Sequence, residues 1–109
     1  MGKIINANEA EFQSIIDSET SVVLVDFWAD WCGPCRVLSP ILEDVSEEVE
    51  DITIVKVNVD DNPGLSAAFS IRSIPTVISF KGGEFIDKFS GVKSKGDIIE
   101  FIKKSNGSE

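Results

Sequence analysis

The sequence predicts a single α/β domain with a central mixed sheet and helices on both faces. In the first half, apolar runs at residues 22–28 and 52–59 flank a long amphipathic stretch that begins at Pro34, which is a strand–helix–strand pattern. In the second half, two short apolar runs are joined by Lys-Gly-Gly-Glu and followed by a helical pattern, which indicates an antiparallel hairpin and a last helix. Together these units predict a sheet that is partly parallel and partly antiparallel.

Length and composition favour one core and exclude several kinds of partner. The chain has 109 residues, 42% of them hydrophobic, so residues 1–109 are expected to form one domain. Ten basic against nineteen acidic residues give a net charge of −9, which disfavours nucleic acid and anionic membranes as partners. No apolar run reaches the roughly 20 residues of a membrane span, and the start MGKIINANEA lacks the apolar stretch of a signal peptide. We therefore expect a cytoplasmic protein.

Two capping signals predict the first and last helices. Asn8 followed by Glu11 predicts a capping box, opening a helix that ends near Asp17 and buries Phe12, Ile15 and Ile16. Ser94 followed by Asp97 predicts a second capping box, opening a helix that buries Ile98, Ile99, Phe101 and Ile102.

The remaining elements follow from apolar patterning. Residues 22–28 (VVLVDFW) are almost continuously apolar, which suits a central strand with a parallel neighbour. The long helix from Pro34 is expected to kink at Pro40, because proline has no backbone donor. Residues 52–59 predict the next strand, and a short helix should follow and reach about Phe69. The hairpin is expected to pair residues 75–80 with 85–89.

Both cysteines lie in the stretch WADWCGPCR, and three interpretations of the pair are open. A structural zinc site needs four ligands, whereas the chain has two cysteines and no histidine. A structural disulfide would close a loop of four residues and contribute only about 2 kcal/mol, less than a long-range bridge would. A cytosolic location also disfavours a permanent disulfide. The third interpretation is a reactive dithiol.

The neighbours of the cysteines favour the reactive dithiol. If a helix begins at Cys32 or Gly33, the unsatisfied N–H groups and the positive end of the helix dipole stabilise a Cys32 thiolate, which makes Cys32 the nucleophile. Cys35 lies one turn later, within bridging distance, and is expected to be more buried, which makes it the resolving thiol. Gly33 allows a tight turn, and Pro34 has its φ preset for a first helical turn.

Two charged residues interrupt the central strands. Asp26 is a lone carboxylate in an apolar strand, so burial should raise its pKa. Alternatively, Asp26 lies at a wet strand end and has no task. Lys56 on the next strand lies either on a solvated face or close enough to Asp26 to pair with it.

Several motifs resemble the thioredoxin family. WCGPC is highly specific for it, and the resemblance extends over essentially the whole chain through VDFWADWCGPCR, Pro40, VNVDDNPG, IRSIPTV, FKGGE and SGVKSK. The resemblance implies five strands flanked by four helices and a general protein-disulfide reductase that donates electrons to target proteins. It also implies a redox-active Cys32–Cys35 disulfide, no bound cofactor or metal, and regeneration by a thioredoxin reductase.

The resemblance also implies roles for residues outside the cysteine motif. The aspartate that matches Asp26 is a proton acceptor for the resolving cysteine. The proline that matches Pro75 is cis and faces the cysteines, whereas the sequence alone would suggest an ordinary strand-edge proline. Trp28 and Trp31 could both be core aromatics, but we expect Trp28 mostly buried and Trp31 exposed. An apolar platform for protein substrates would consist of Trp31, Ile74, Pro75, Gly91 and Val92.

Two alternatives to a monomeric disulfide reductase remain open. A binding module could use the same fold with an incidental dithiol, although such a module would not need WCGPC, Asp26 and Ile74-Pro75 together. A net oxidant or isomerase is disfavoured by the Gly-Pro spacer and the absent signal peptide. The chain departs from the family pattern at Arg36, where many members have lysine, and at Ser70 and Ser73, where glycine is common. These departures concern substrate preference rather than the reaction.

Overall fold

The computed structural model describes residues 1–107, so the last two residues of the predicted domain lie outside the described part of the chain. Its elements in chain order are β1 (Lys3–Asn6), α1 (Glu9–Ser18), β2 (Val23–Trp28), α2 (Gly33–Glu48), β3 (Thr53–Asn58), α3 (Pro63–Ala68), β4 (Thr76–Lys81), β5 (Glu84–Ser90) and α4 (Lys95–Ser105).

The sheet is mixed, as the sequence predicts. Its strand order is β1-β3-β2-β4-β5, so β2 lies in the centre. β3 is parallel to both β1 and β2, whereas β4 is antiparallel to β2 and to β5. The turn of the β4–β5 hairpin contains Gly82 and Gly83 with φ of 61° and 81°, which is the left-handed conformation that favours glycine.

Helices cover both faces of the sheet and bury two separate apolar cores. Side chains of α2 and α4 pack on one face with those of alternate strand positions, around Leu24, Leu38, Leu42, Ile54, Val77 and Ile98. Side chains of α1 and α3 pack on the other face, around Phe12, Ile16, Val25, Phe27, Val55 and Ile78. Because successive strand residues point to opposite faces, Asp26 shares the α2 face with Leu24.

The helix ends show one confirmed capping box and one correction. At α1 the box is complete: the Asn8 side chain accepts from the Glu11 N–H, and the Glu11 side chain accepts from the Asn8 N–H. At α4 the Ser94 hydroxyl accepts from the Asp97 N–H. The second bond of a capping box, from the Ser94 N–H to the Asp97 side chain, is not found among the described residues, so the prediction of a complete second box was wrong. The aspartate side chain is one methylene shorter than the Glu or Gln that closes such a box. The helix nevertheless buries Ile98 and Ile102 as predicted, while Ile99 and Phe101 are half-buried.

Replacing Asn8 by alanine should lower the free energy of unfolding by about 1 kcal/mol, because the Glu11 N–H loses its side-chain acceptor and keeps only the longer bond of 3.3 Å to the Asn8 carbonyl oxygen. Urea unfolding with Ser14→Ala as control measures this. Ser14 is exposed on the same helix and should change stability by less than about 0.5 kcal/mol. Equal losses in the two variants would contradict a capping role for Asn8.

No helix in residues 1–107 is both long enough and apolar enough to cross a membrane.

Candidate functional site

Cys32 occupies the N-cap of α2, as the sequence analysis predicts. Its φ and ψ of −89° and 108° are extended, and its Sγ accepts a hydrogen bond of 3.2 Å from the Cys35 N–H. Pro34 lies in the first turn, where its missing donor leaves nothing unsatisfied. The Cys32 sulfur therefore lies at a helix N-terminus, where a thiolate would be stabilised by N–H donors and by the dipole.

Cys32 and Cys35 form a disulfide with a Cα–Cα distance of 5.3 Å. The exposed fractions of the two residues are 4% and 5%, so the prediction that Cys35 is the more buried was wrong for this oxidised form. The reason is that Ile74 packs against the cysteine pair and its carbonyl oxygen lies 3.7 Å from the Cys32 Sγ. The N-terminal position of Cys32 on the helix thus does not by itself expose the residue.

Asp26 is buried in the centre of the sheet. Only 2% of the residue is exposed, and its Oδ1 has no hydrogen-bond partner among the described residues. Burial raises the pKa of Asp26 from 3.8 to about 6, and the positive charge of Lys56 partly opposes this shift. Asp26 is therefore not a carboxylate at a wet strand end.

Lys56 lies beside Asp26 but its ammonium group binds elsewhere. The two residues are partners in the parallel register of β2 and β3. The Lys56 Nζ donates to the Ser39 Oγ at 2.8 Å and lies 5.2 Å from the centre of the Trp28 ring. Within residues 1–107 no ion pair joins Lys56 to Asp26. Asp26 and Lys56 therefore do not form an ion pair. Lys56 does not lie on a fully solvated face either, because it is half-buried.

Cys35 and Lys56 line the same small cavity. Its volume is about 130 Å³, and its lining combines the start of α2 with the ends of β2 and β3: Trp28, Ala29, Asp30, Cys35, Arg36, Ser39 and Lys56. The Arg36 Nη2 donates to the Asp30 carbonyl oxygen at 2.5 Å. Sequence analysis missed Ser39, because a serine within an amphipathic helix gives no signal of what its hydroxyl binds.

Pro75 follows a cis peptide bond, as the resemblance implies. Pro75 is buried directly before β4, and its carbonyl oxygen accepts a hydrogen bond of 2.8 Å from the Gly91 N–H. Gly91 has φ of 87°, a conformation that favours glycine. The structure thus places Gly91 against Pro75, and the preceding Ile74 packs against the cysteines.

The two tryptophans differ as predicted. Trp28 is half-buried, whereas 66% of Trp31 is exposed. The Trp31 Nε1 donates to the Asp60 Oδ2 at 2.9 Å, which fixes the exposed ring. Asp60 was missed, although it stands in the motif VNVDDNPG, because the sequence does not reveal this contact.

An open groove runs from Trp31 to Ile74. Its volume is about 480 Å³, and it is lined by Trp31, Val59, Pro63, Ser66, Ile71, Arg72, Ser73 and Ile74. Val92, the last member of the predicted platform, is not among the lining residues but is 43% exposed. Two members of the predicted platform, Trp31 and Ile74, therefore line one exposed groove.

The described residues contain no group of three or more His, Cys, Asp or Glu side chains that could hold a metal ion.

Comparisons with known proteins agree with this geometry. The thioredoxin family model matches residues 3–104. The chain is 40% identical over 101 residues to the thioredoxin of Rickettsia felis, covering 92% of this chain and 96% of the relative. It is 42% identical over 102 residues to the thioredoxin of Pyropia yezoensis, covering 93% and 95%.

A solved structure shares the fold. A point-mutant thioredoxin from Halobacterium salinarum is similar with a TM-score of 0.86 and 30% identity, over 96% of this chain and 91% of that one. With a disulfide at the start of α2 and matches over nearly the whole chain, the protein belongs to the thioredoxin family and is a protein-disulfide oxidoreductase that works by dithiol–disulfide exchange.

Proposed function

We propose that the protein is a general reductant of protein disulfides in which Cys32 attacks and Cys35 resolves. The Cys32 thiolate attacks one sulfur of a target disulfide, so a mixed disulfide forms and the other target sulfur leaves as a thiolate. The Cys35 thiolate then attacks the Cys32 Sγ and displaces the first target sulfur. Two electrons pass to the target, and the Cys32–Cys35 disulfide remains. The observation that carries this assignment is the Cys35 N–H donating to the Cys32 Sγ at the helix N-terminus.

Asp26 is the proposed proton acceptor for Cys35. A carboxylate with a pKa of about 6 is largely ionised at neutral pH, yet it is a stronger base than an ordinary aspartate. Asp26 is buried on the face of the sheet that α2 covers, and Cys35 of α2 lines the small cavity together with Lys56, the register partner of Asp26, which supports this role. Lys56 would act indirectly, through its charge.

The platform is the proposed substrate site. An extended segment of a target protein would pair with the backbone beside Pro75 by strand addition, while Trp31, Ile74, Gly91 and Val92 contact its side chains. The exposure of Trp31 and Val92 and the groove between Trp31 and Ile74 support this assignment.

The proposal also covers the partners of the protein, its oligomeric state and its compartment. Thioredoxin family membership implies disulfide-containing substrates and a reductase as partners in general. We further propose that residues 1–109 form one monomeric domain without a bound cofactor, which transfers electrons in the cytoplasm. The reducing direction of the reaction suits a compartment where glutathione and thioredoxin keep thiols reduced.

A trapping experiment tests the order of the two cysteines. The reduced Cys35→Ser variant, mixed with native insulin, whose disulfides are intact, should accumulate a mixed disulfide through Cys32, because no resolving thiol remains. Mass spectrometry of the alkylated mixture measures this adduct. If Cys32→Ser accumulates the adduct through Cys35 instead, the two roles are reversed.

A further inference from the structure

Two of the elements packed around Asp26 contribute a charged side chain. β3 contributes Lys56, and α2 contributes Arg36, whose guanidinium donates to the Asp30 carbonyl oxygen. β4 contributes no charge, because its residue opposite Asp26 is the apolar Val77. Lys56 and Asp30 also line a neighbouring open cleft of about 540 Å³, which adds the carboxylates of Glu11 and Asp61. Among these groups, Lys56 is the cation whose charge acts on Asp26.

Two contacts determine where the Lys56 ammonium lies. It donates to the Ser39 Oγ at 2.8 Å, and it lies over the Trp28 ring at 5.2 Å. Meanwhile the Asp26 Oδ1 has no partner in the described part of the chain, although Asp26 and Lys56 are adjacent in the sheet. A buried carboxylate oxygen beside a cation that binds a neutral hydroxyl is unusual, because an ion pair would normally form.

The position of Ser39 explains the arrangement. Ser39 lies four residues after Cys35, so the two side chains share one face of α2. Both line the small cavity, together with Lys56. The Ser39 hydroxyl thus belongs to the α2 wall of the cavity, and it accepts a hydrogen bond from the Lys56 ammonium, which comes from the sheet.

We propose that Ser39 is a positioning residue that holds the Lys56 ammonium on α2 and thereby keeps the Asp26 carboxylate without an ion-pair partner. The proposal rests on the role of Asp26 suggested above. Without the hydroxyl, the ammonium loses its neutral acceptor, and Asp26 becomes the adjacent anionic partner in the sheet. An ion pair would stabilise the ionised carboxylate and make it a weaker base for Cys35.

The test is a titration of the Asp26 carboxyl carbon by ¹³C NMR in the oxidised protein, where neither cysteine titrates. Ser39→Ala should move the Asp26 midpoint down by about 1 pH unit, the lower end of the shift that a close opposite charge produces. Alanine is favourable within a helix, so the variant should fold. Ser39→Thr retains a hydroxyl and should keep the original midpoint.

A second background shows whether Lys56 mediates the effect. In Lys56→Met protein, Ser39→Ala should leave the Asp26 midpoint unchanged, because the ammonium is absent. An unchanged midpoint in Ser39→Ala alone, or a shift that persists without Lys56, would overturn the proposal.

The rate at which Cys35 resolves a mixed disulfide separates this proposal from the role of Asp26. If the NMR midpoint moves as expected and the pH profile of resolution moves with it, both proposals are supported. If the midpoint moves but the profile does not, Ser39 positions Lys56 as proposed and Asp26 is not the proton acceptor.

Discussion

Replacing Cys32 with serine is expected to abolish insulin reduction by dithiothreitol-regenerated protein, with a loss of at least about 10³-fold, the scale seen when an enzyme loses its nucleophile. A serine hydroxyl is not ionised near neutral pH and cannot form a disulfide with a target. Serine is also a good N-cap, so α2 should still begin at the same residue. The variant therefore removes the chemistry while it preserves the helix start that Cys32 now provides.

Cys35→Ser is the matched control for this loss, because it also replaces one sulfur with oxygen in the same turn. It should still release about one equivalent of target thiol per protein in a single turnover, since the first attack needs only Cys32. Far-ultraviolet circular dichroism of both variants checks the fold. Sustained turnover by Cys32→Ser would refute Cys32 as the nucleophile.

The fold was predictable because apolar periodicity and turn residues carry most of the information. The Gly82-Gly83 turn and the Asn8 capping box depend on contacts within a few residues. The central strand at residues 22–28 pairs with distant strands, but its almost continuous apolar run marks it in the sequence. The second capping box failed at Asp97 because the outcome depends on the reach of one side chain, which a spacing pattern does not contain.

The candidate site was predictable only where a residue type is costly or rare in its position. Two cysteines at a helix start and a carboxylate in an apolar strand are such cases, and the structure has Cys32 at the N-cap and Asp26 buried. The equal burial of the cysteines depends on Ile74, which lies about forty residues away in the chain. The binding of Lys56 to Ser39 likewise depends on tertiary packing.

Asp26→Asn is expected to stabilise the oxidised protein at pH 8 by up to roughly 3 kcal/mol, the free-energy equivalent of raising a pKa from 3.8 to about 6. The folded protein binds the Asp26 proton more tightly than the unfolded chain does. Stability is therefore lost as the pH rises from about 4 to 6, and the full penalty remains above that range. Asparagine has no charge to bury, so the gain of the variant should vanish below pH 3.8.

Urea unfolding at pH 3.5 and pH 8 measures this difference, with Glu47→Gln as the control. Glu47 is an exposed carboxylate on α2, so the same loss of charge there should change stability by less than about 0.5 kcal/mol at either pH. A gain for Asp26→Asn that is equal at both pH values would mean that ionisation of Asp26 is not its source. The stabilised variant should also resolve mixed disulfides about 10²-fold more slowly, the lower end of what a general base contributes. That result would mean that the protein retains a destabilising carboxylate because Cys35 needs a proton acceptor.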